Sequence, residues 1–205
     1  MIELLLVVGL LVLLLLFVVF TYNNLITLRN RVDNAWAQID VQLKRRYDLI
    51  PNLIETVKGY VKHEREVLTE VTKYRAQLVT GSVEEKAQAN NMLSQALKSL
   101  FAVAENYPNL KANENFKMLQ EELAGTENKI SYIRTAYNDS VLSYQTAKDM
   151  FPSSIVAGMF SAAFQQKQYF EAVEAERAAV KVSFNEPKTD EGSEDVGVAK
   201  KKAKK

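Results

Sequence analysis

The sequence predicts an all-α protein, in which an N-terminal single transmembrane helix continues into an antiparallel bundle of four long helices. Three observations carry that expectation. Residues 4–20 (LLLVVGLLVLLLLFVVF) hold no charge and no polar side chain. After them, apolar residues return in steps of three and four at Leu25, Leu28, Val32, Trp36, Ile39, Leu43, Tyr47, Ile50, Ile54, Val57 and Val61, the period of one helical face. Glycine (7) and proline (4) are scarce among 205 residues, while Ala, Leu, Gln, Glu and Lys are plentiful, a helix-forming balance.

Residues 2–22 cover roughly 30 Å as a helix, one hydrocarbon thickness. A cleavable signal peptide would want a basic start and a small-residue cleavage site. This chain opens Met-Ile-Glu, and residues 17–22 offer no such site. A soluble core helix is rarely apolar on every face for so long. The expectation is an uncleaved anchor. Arg29 and Arg31 follow the span, with Lys44, Arg45 and Arg46 farther on, whereas only Glu3 precedes it. That bias puts the C-terminal side in the cytoplasm.

The stripe then reads as one helix running to Thr80. Pro51 removes the bond to the Tyr47 carbonyl and disfavours the helical region for Ile50. The apolar phase nevertheless continues through Ile54, Val57 and Val61, so a kink in a continuous helix is expected at Pro51. From Tyr22 to Thr80 such a rod would project up to about 80 Å from the bilayer. Gly81 supplies a C-terminal cap, and Ser82 with Glu85 forms a capping box that opens the next helix, making a tight antiparallel hairpin. That second helix buries Ala89, Leu93, Ala96, Leu97, Leu100 and Ala104 and stops before Pro108. Asn113 or Asn115 caps a third, whose stripe is Phe116, Leu119, Leu123, Ile130, Ile133, Tyr137, Val141, Tyr144 and Phe151, with Gly125 tolerated inside it. Pro152 ends it. A fourth helix downstream of residue 153 is expected to complete the bundle, with Phe160, Phe164, Tyr169 and Phe170 packed on the others. Residues 180–184 alternate like an extended segment instead. The organisation is thus an anchor over 1–22, a bundle over 23–185, and a disordered charged tail over 186–205. Lys200 to Lys205 in that tail read either as solubilising charge or as a lipid-headgroup or partner contact.

Composition closes off most chemistry. The net charge of +1 argues against a nucleic-acid partner held by bulk electrostatics. The absence of cysteine excludes disulfides, zinc–thiolate sites, iron–sulfur clusters and thiol catalysis, and leaves the compartment open. One histidine, His63, cannot build the paired Glu-x-x-His motifs of di-iron bundles, because position 60 is Tyr. His63 reads as a solvated surface residue. No G-x-S-x-G, phosphate-binding glycine loop or H-E-x-x-H occurs, and Glu84/Glu85 and Glu121/Glu122 diverge around their helices. No metal, cofactor or small-molecule substrate is expected. Lys44, Arg45 and Arg46 stand about 33 Å past the span, beyond reach of lipid charge. They read as a structural ion pair for Arg46 or as a patch that docks a partner. Trp36, flanked by Asn34, Asp40 and Gln42, reads as a register-setting core residue.

Residues 29–64 (RNRVDNAWAQIDVQLKRRYDLIPNLIETVKGYVKHE) resemble the signature of the LemA family. The segments ENYPNLKANENF (105–116) and LQEELAGTENKISYIRTAYNDSV (119–141), and the Phe151-Pro152 break, resemble it too. The likeness covers residues 22–164. It implies a bacterial single-pass membrane protein with a helical bundle and no established enzymatic activity. It also implies kinship with proteins linked to membrane-protein quality control beside a membrane metalloprotease, and to membrane remodelling in magnetosome formation. The function expected is a non-enzymatic, membrane-anchored scaffold or adaptor whose partners are the lipid bilayer and proteins, either a membrane protease or further copies of itself. The alternative is a sensor that relays a shift at Pro51.

Overall fold

The computed structural model describes residues 1–61 and 64–171. The expectations for His63, for residues 172–185 and for the charged tail lie outside the described residues. The described chain is all-helical, with one strap that is not helical.

Helix α1 runs Ile2–Lys58 without interruption. Its apolar first part, from Ile2 to Phe20, faces outward almost all round, and nothing in the bundle covers it. From Leu25 the helix turns amphipathic and buries Leu25, Val32, Ile39, Leu43, Ile50, Ile54 and Val57 of the expected stripe, together with Leu53, while Leu28, Trp36 and Tyr47 are partly buried. Pro51 sits inside the helix and does not end it.

The helix does not reach Thr80, and this corrects the sequence reading. The helix ends at Lys58, and α2 (Arg65–Gln77) runs back along α1, so that Arg75 meets Tyr47. The amides of Tyr60 and Val61 both donate to the Val57 carbonyl, at 3.0 Å each, closing the helix end. Val61 is buried, which is why the apolar phase carries on past the last helical residue. Beyond it Leu68 and Val71 belong to a new stripe, on α2. The reversal shortens the part of α1 that stands beyond the apolar span to about 57 Å.

The hairpin between α2 and α3 (Val83–Ala104) forms as expected. Gly81 adopts φ 93°, the left-handed conformation that favours glycine. The Glu85 amide donates to Ser82 Oγ at 3.2 Å, and the Ser82 amide donates to the Glu85 carboxylate at 2.6 Å, completing the capping box. A single turn, α4 (Pro108–Lys111), leads to Asn113, whose side chain accepts from the Phe116 amide and caps α5 (Glu114–Asp149). The order is therefore up-down-up-down for α1, α2, α3 and α5, with α5 laid antiparallel along α1.

Among the described residues the fourth bundle member is thus α2, and not the expected helix after residue 153. Helix α6 (Ser153–Met159) makes about two turns, after which residues 165–171 form the strap. Phe164 and Phe170 are buried and Tyr169 is half-buried, as expected of packed aromatics. Phe151 was placed on the α5 stripe by its spacing, yet it is 80% exposed, because α5 ends at Asp149 and the chain turns.

Candidate functional site

The interior of the bundle holds one charged knot. Arg46 on α1 is almost fully buried, and its Nη1 donates to Asn90 Oδ1 (2.6 Å) and Ser94 Oγ (3.1 Å) on α3 and to the Glu127 carboxylate on α5. Ser94 Oγ in turn donates to Glu127 Oε1 at 3.0 Å. A buried guanidinium must be paired and hydrogen-bonded to be tolerated. Burial pulls its pKa below the ordinary arginine value, and Glu127 opposes that shift. Arg46 Nε and Gln42 Oε1, one helical turn apart, are buried without a partner. The knot ties three helices at one level. It offers no reaction: Ser94 faces a carboxylate with no histidine beside it, and among the described residues no group of acids and histidines could hold a metal ion.

The basic triple is thereby divided. Arg46 is interior, so it drops out of the docking patch, because its position on the helix points it at Glu127. Arg45 pairs with Glu122 on α5, and Lys44 pairs with Asp48 at 2.6 Å while lying over the Tyr47 ring. Lys44 and Arg45 remain on the surface. Trp36 is partly buried at the edge of the core, packed on Tyr137 and Phe170, and Lys86 reaches across it to Asp40 at 2.7 Å.

A second arrangement had not been found in the sequence. Along α5, two pairs of polar-tipped residues stand seven apart: Tyr137 with Asn138, and Tyr144 with Gln145. Tyr144 donates to the carbonyl of Gln165 at 3.0 Å and Tyr137 to that of Gln168 at 2.7 Å. Gln145 donates to the Lys167 carbonyl, and Asn138 both donates to the Phe170 carbonyl and accepts from its amide. Seven helical residues rise about 10.5 Å, and three extended residues span about 10 Å, so helix and strap stay in register. The α5 side chains thus satisfy a backbone that forms no ladder of its own. Burial, then the Asp33 charge, pushes the Tyr137 pKa up to about 12, and burial raises that of Tyr144. Lys167 pairs with Asp33 at 2.7 Å, pinning the strap to α1, and Arg29 donates to the Ala163 carbonyl in the turn just before it.

Between this strap and α3 lies an open groove of about 860 Å³, lined by Glu84, Gln88, Asn91 and Met92 of α3, by Gln145, and by strap residues. A smaller groove of about 340 Å³ shares Gln88 and Met92 and continues between α2 and α3 to Gly81. The walls are largely side-chain amides and methylenes. Such walls suit binding of polar chain segments and contain no nucleophile–base pair.

The LemA family model matches residues 35–184. Protein LemA of Metamycoplasma hominis is 29% identical over 167 residues, covering 78% of this chain and 74% of that protein. Magnetosome protein MamQ 2 of Paramagnetospirillum magneticum is 22% identical over 177 residues, covering 73% of this chain and 64% of its own length. Magnetosome protein MamQ of Magnetospirillum gryphiswaldense is 21% identical over 176 residues, with the same coverage. Through the match of its bundle, from the Trp36 level of α1 onward, the chain belongs to the LemA family.

Proposed function

We propose that this protein is a membrane-anchored, non-enzymatic scaffold or adaptor. One observation carries the reading: the apolar span and the main core helix of the bundle are the same unbroken helix, Ile2–Lys58. Residues 4–20 are uniformly apolar and almost wholly unburied, and an exposed surface of that kind is stable only in lipid. A bundle mounted without a linker on its anchor is held close to the bilayer. The amide-lined groove beside the strap, together with Lys44 and Arg45, is the surface it offers to protein partners, a membrane protease or further copies of the same chain. The excess of Arg and Lys after the span supports a bundle on the cytoplasmic side of the membrane. The magnetosome relatives favour a role in membrane organisation.

The alternative is a sensor that bends at Pro51. Against it stands the Tyr47 carbonyl freed by that proline, which Arg75 holds at 2.8 Å. The defect is locked.

A photo-crosslinker at Met92 or at Lys44, in native membranes, tests the scaffold reading. Discrete adducts with a membrane protein or with a second copy are expected. Absence of any adduct, combined with monomeric behaviour in detergent, would contradict it. Protease access to the C-terminal tail in intact cells against inverted vesicles checks the orientation, with access expected only in inverted vesicles.

A further inference from the structure

An apolar patch stands at the foot of the bundle. Met150 is 57% exposed, Phe151 80%, Ile155 56% and Met159 69%. Helix α6 turns Val156 and Ala157 inward, while Ile155 and Met159 point away from the protein. The register between α1 and α5 fixes the height of this patch. Leu28 and Ser143 line one shallow groove. About two helical turns farther along each helix, in opposite directions, lie Thr21 on α1 and the end of α5 at Asp149, next to Met150. The patch therefore sits level with the end of the apolar span. Ring contacts say the same: Phe160 and Phe164 both pack on Tyr22, with centroids at 5.0 and 5.3 Å.

We propose that α6 and the Phe151 turn form a second membrane contact, an interfacial foot seated in the headgroup–acyl boundary beside the spanning helix. The inference rests on the anchor reading above and goes beyond it. Four large apolar side chains, two in the turn after α5 and two on α6, are a poor surface to leave in water, and an element with one packed and one apolar outward face lies in the plane of the interface. Tyr22, between the span and α6, has the amphipathic ring that favours this depth. Two attachments, one spanning and one lateral, fix the tilt of the bundle, which a single helix would leave free.

The cysteine-free chain makes the test direct. Full-length Ile155→Cys and Met159→Cys variants carry an environment-sensitive fluorophore in vesicles of phosphatidylethanolamine and phosphatidylglycerol. The vesicles contain lipids spin-labelled either near the headgroup or at the acyl terminus. Val12→Cys, within the span, and Tyr132→Cys, exposed high on α5, are the references. The foot predicts loss of fluorescence at 155 and 159 with headgroup-labelled lipid, and little with chain-end label. Val12 should respond mainly to the chain-end label and Tyr132 to neither. Behaviour of 155 and 159 like Tyr132, while Val12 is quenched, overturns the foot and spares the anchor. Failure of Val12 to respond overturns both. Disulfide-linked dimers through position 155 without quenching would put a second copy on the patch and likewise overturn the proposal.

Discussion

Arg75 Nε donates to the backbone carbonyl of Tyr47 at 2.8 Å, and its guanidinium lies 3.8 Å from the centroid of the Tyr47 ring. That carbonyl is the one Pro51 cannot serve, since proline has no N–H to donate four residues back. The returning helix α2 thus docks on the defect in α1. Arg75 supplies the donor that Pro51 lacks.

Arg75→Ala should cost about 1–2 kcal/mol, combining one lost hydrogen bond and one cation–π contact. In a Pro51→Ala background a new amide serves Tyr47, and the same substitution should cost measurably less. Urea unfolding of the four proteins in the cycle reads the coupling, and strict additivity would show the two residues to be independent.

The knot at Arg46 gives a second test. Glu127→Ala leaves a buried guanidinium without its counter-charge and should destabilise the bundle by about 2–3 kcal/mol, less than for a fully buried pair because Glu127 is partly exposed. Arg46→Met in that background should recover part of the loss. Thermal melts of the single and double variants check this, and a further loss in the double variant would contradict it.

The strap ties stability to alkaline pH. Tyr137 has a folded pKa of about 12 against an ordinary value of 10.0, so ionisation favours the unfolded chain. Its contribution is fully present below about pH 10 and is lost as pH rises through about 12. Tyr137→Phe should cost about 1 kcal/mol near neutrality, from the lost bond to Gln168, and should flatten that alkaline decline relative to the parent. Urea midpoints measured from neutral to alkaline pH give the comparison. Parallel declines in both proteins would sink this assignment.

At the hairpin, Gly81→Ala must hold φ 93° with a Cβ that runs into the Glu85 carboxylate. Strain and a broken capping box together should cost about 2 kcal/mol or more, against about 1 kcal/mol for Ser82→Ala. Equal losses in calorimetry would contradict the role given to the glycine.

The contrast between that hairpin and the one before it shows what the sequence could reveal. Gly81 announces itself because a left-handed cap and a capping box both demand particular residues. Gly59 does neither: it sits at φ −65°, a right-handed conformation open to most residues, so the reversal after Lys58 leaves no residue-type mark. Val61, buried beyond the helix end, extended the apolar phase and concealed the break. The stripes of α1, α3 and α5 were legible because burial at helical spacing leaves a period. The strap was not, because side chains of α5 satisfy its backbone, and the signal lies in the paired Tyr137-Asn138 and Tyr144-Gln145 rather than in the strap. Of the basic triple, stripe position alone placed Lys44 and Arg45 outward and Arg46 at the edge. Only the α5 register, which brings Glu127 opposite, made Arg46 internal.

The central claim is that α1 carries the bundle directly on its membrane span, as one rigid helix. Spin labels at Phe20→Cys and Val41→Cys, both exposed, stand 21 residues apart on that helix. Pulsed dipolar spectroscopy of the full chain in lipid nanodiscs should give one narrow distribution near 32 Å, set by a rise of about 1.5 Å per residue. A broad distribution, or one centred well below that length, would show a break between anchor and bundle and contradict the account.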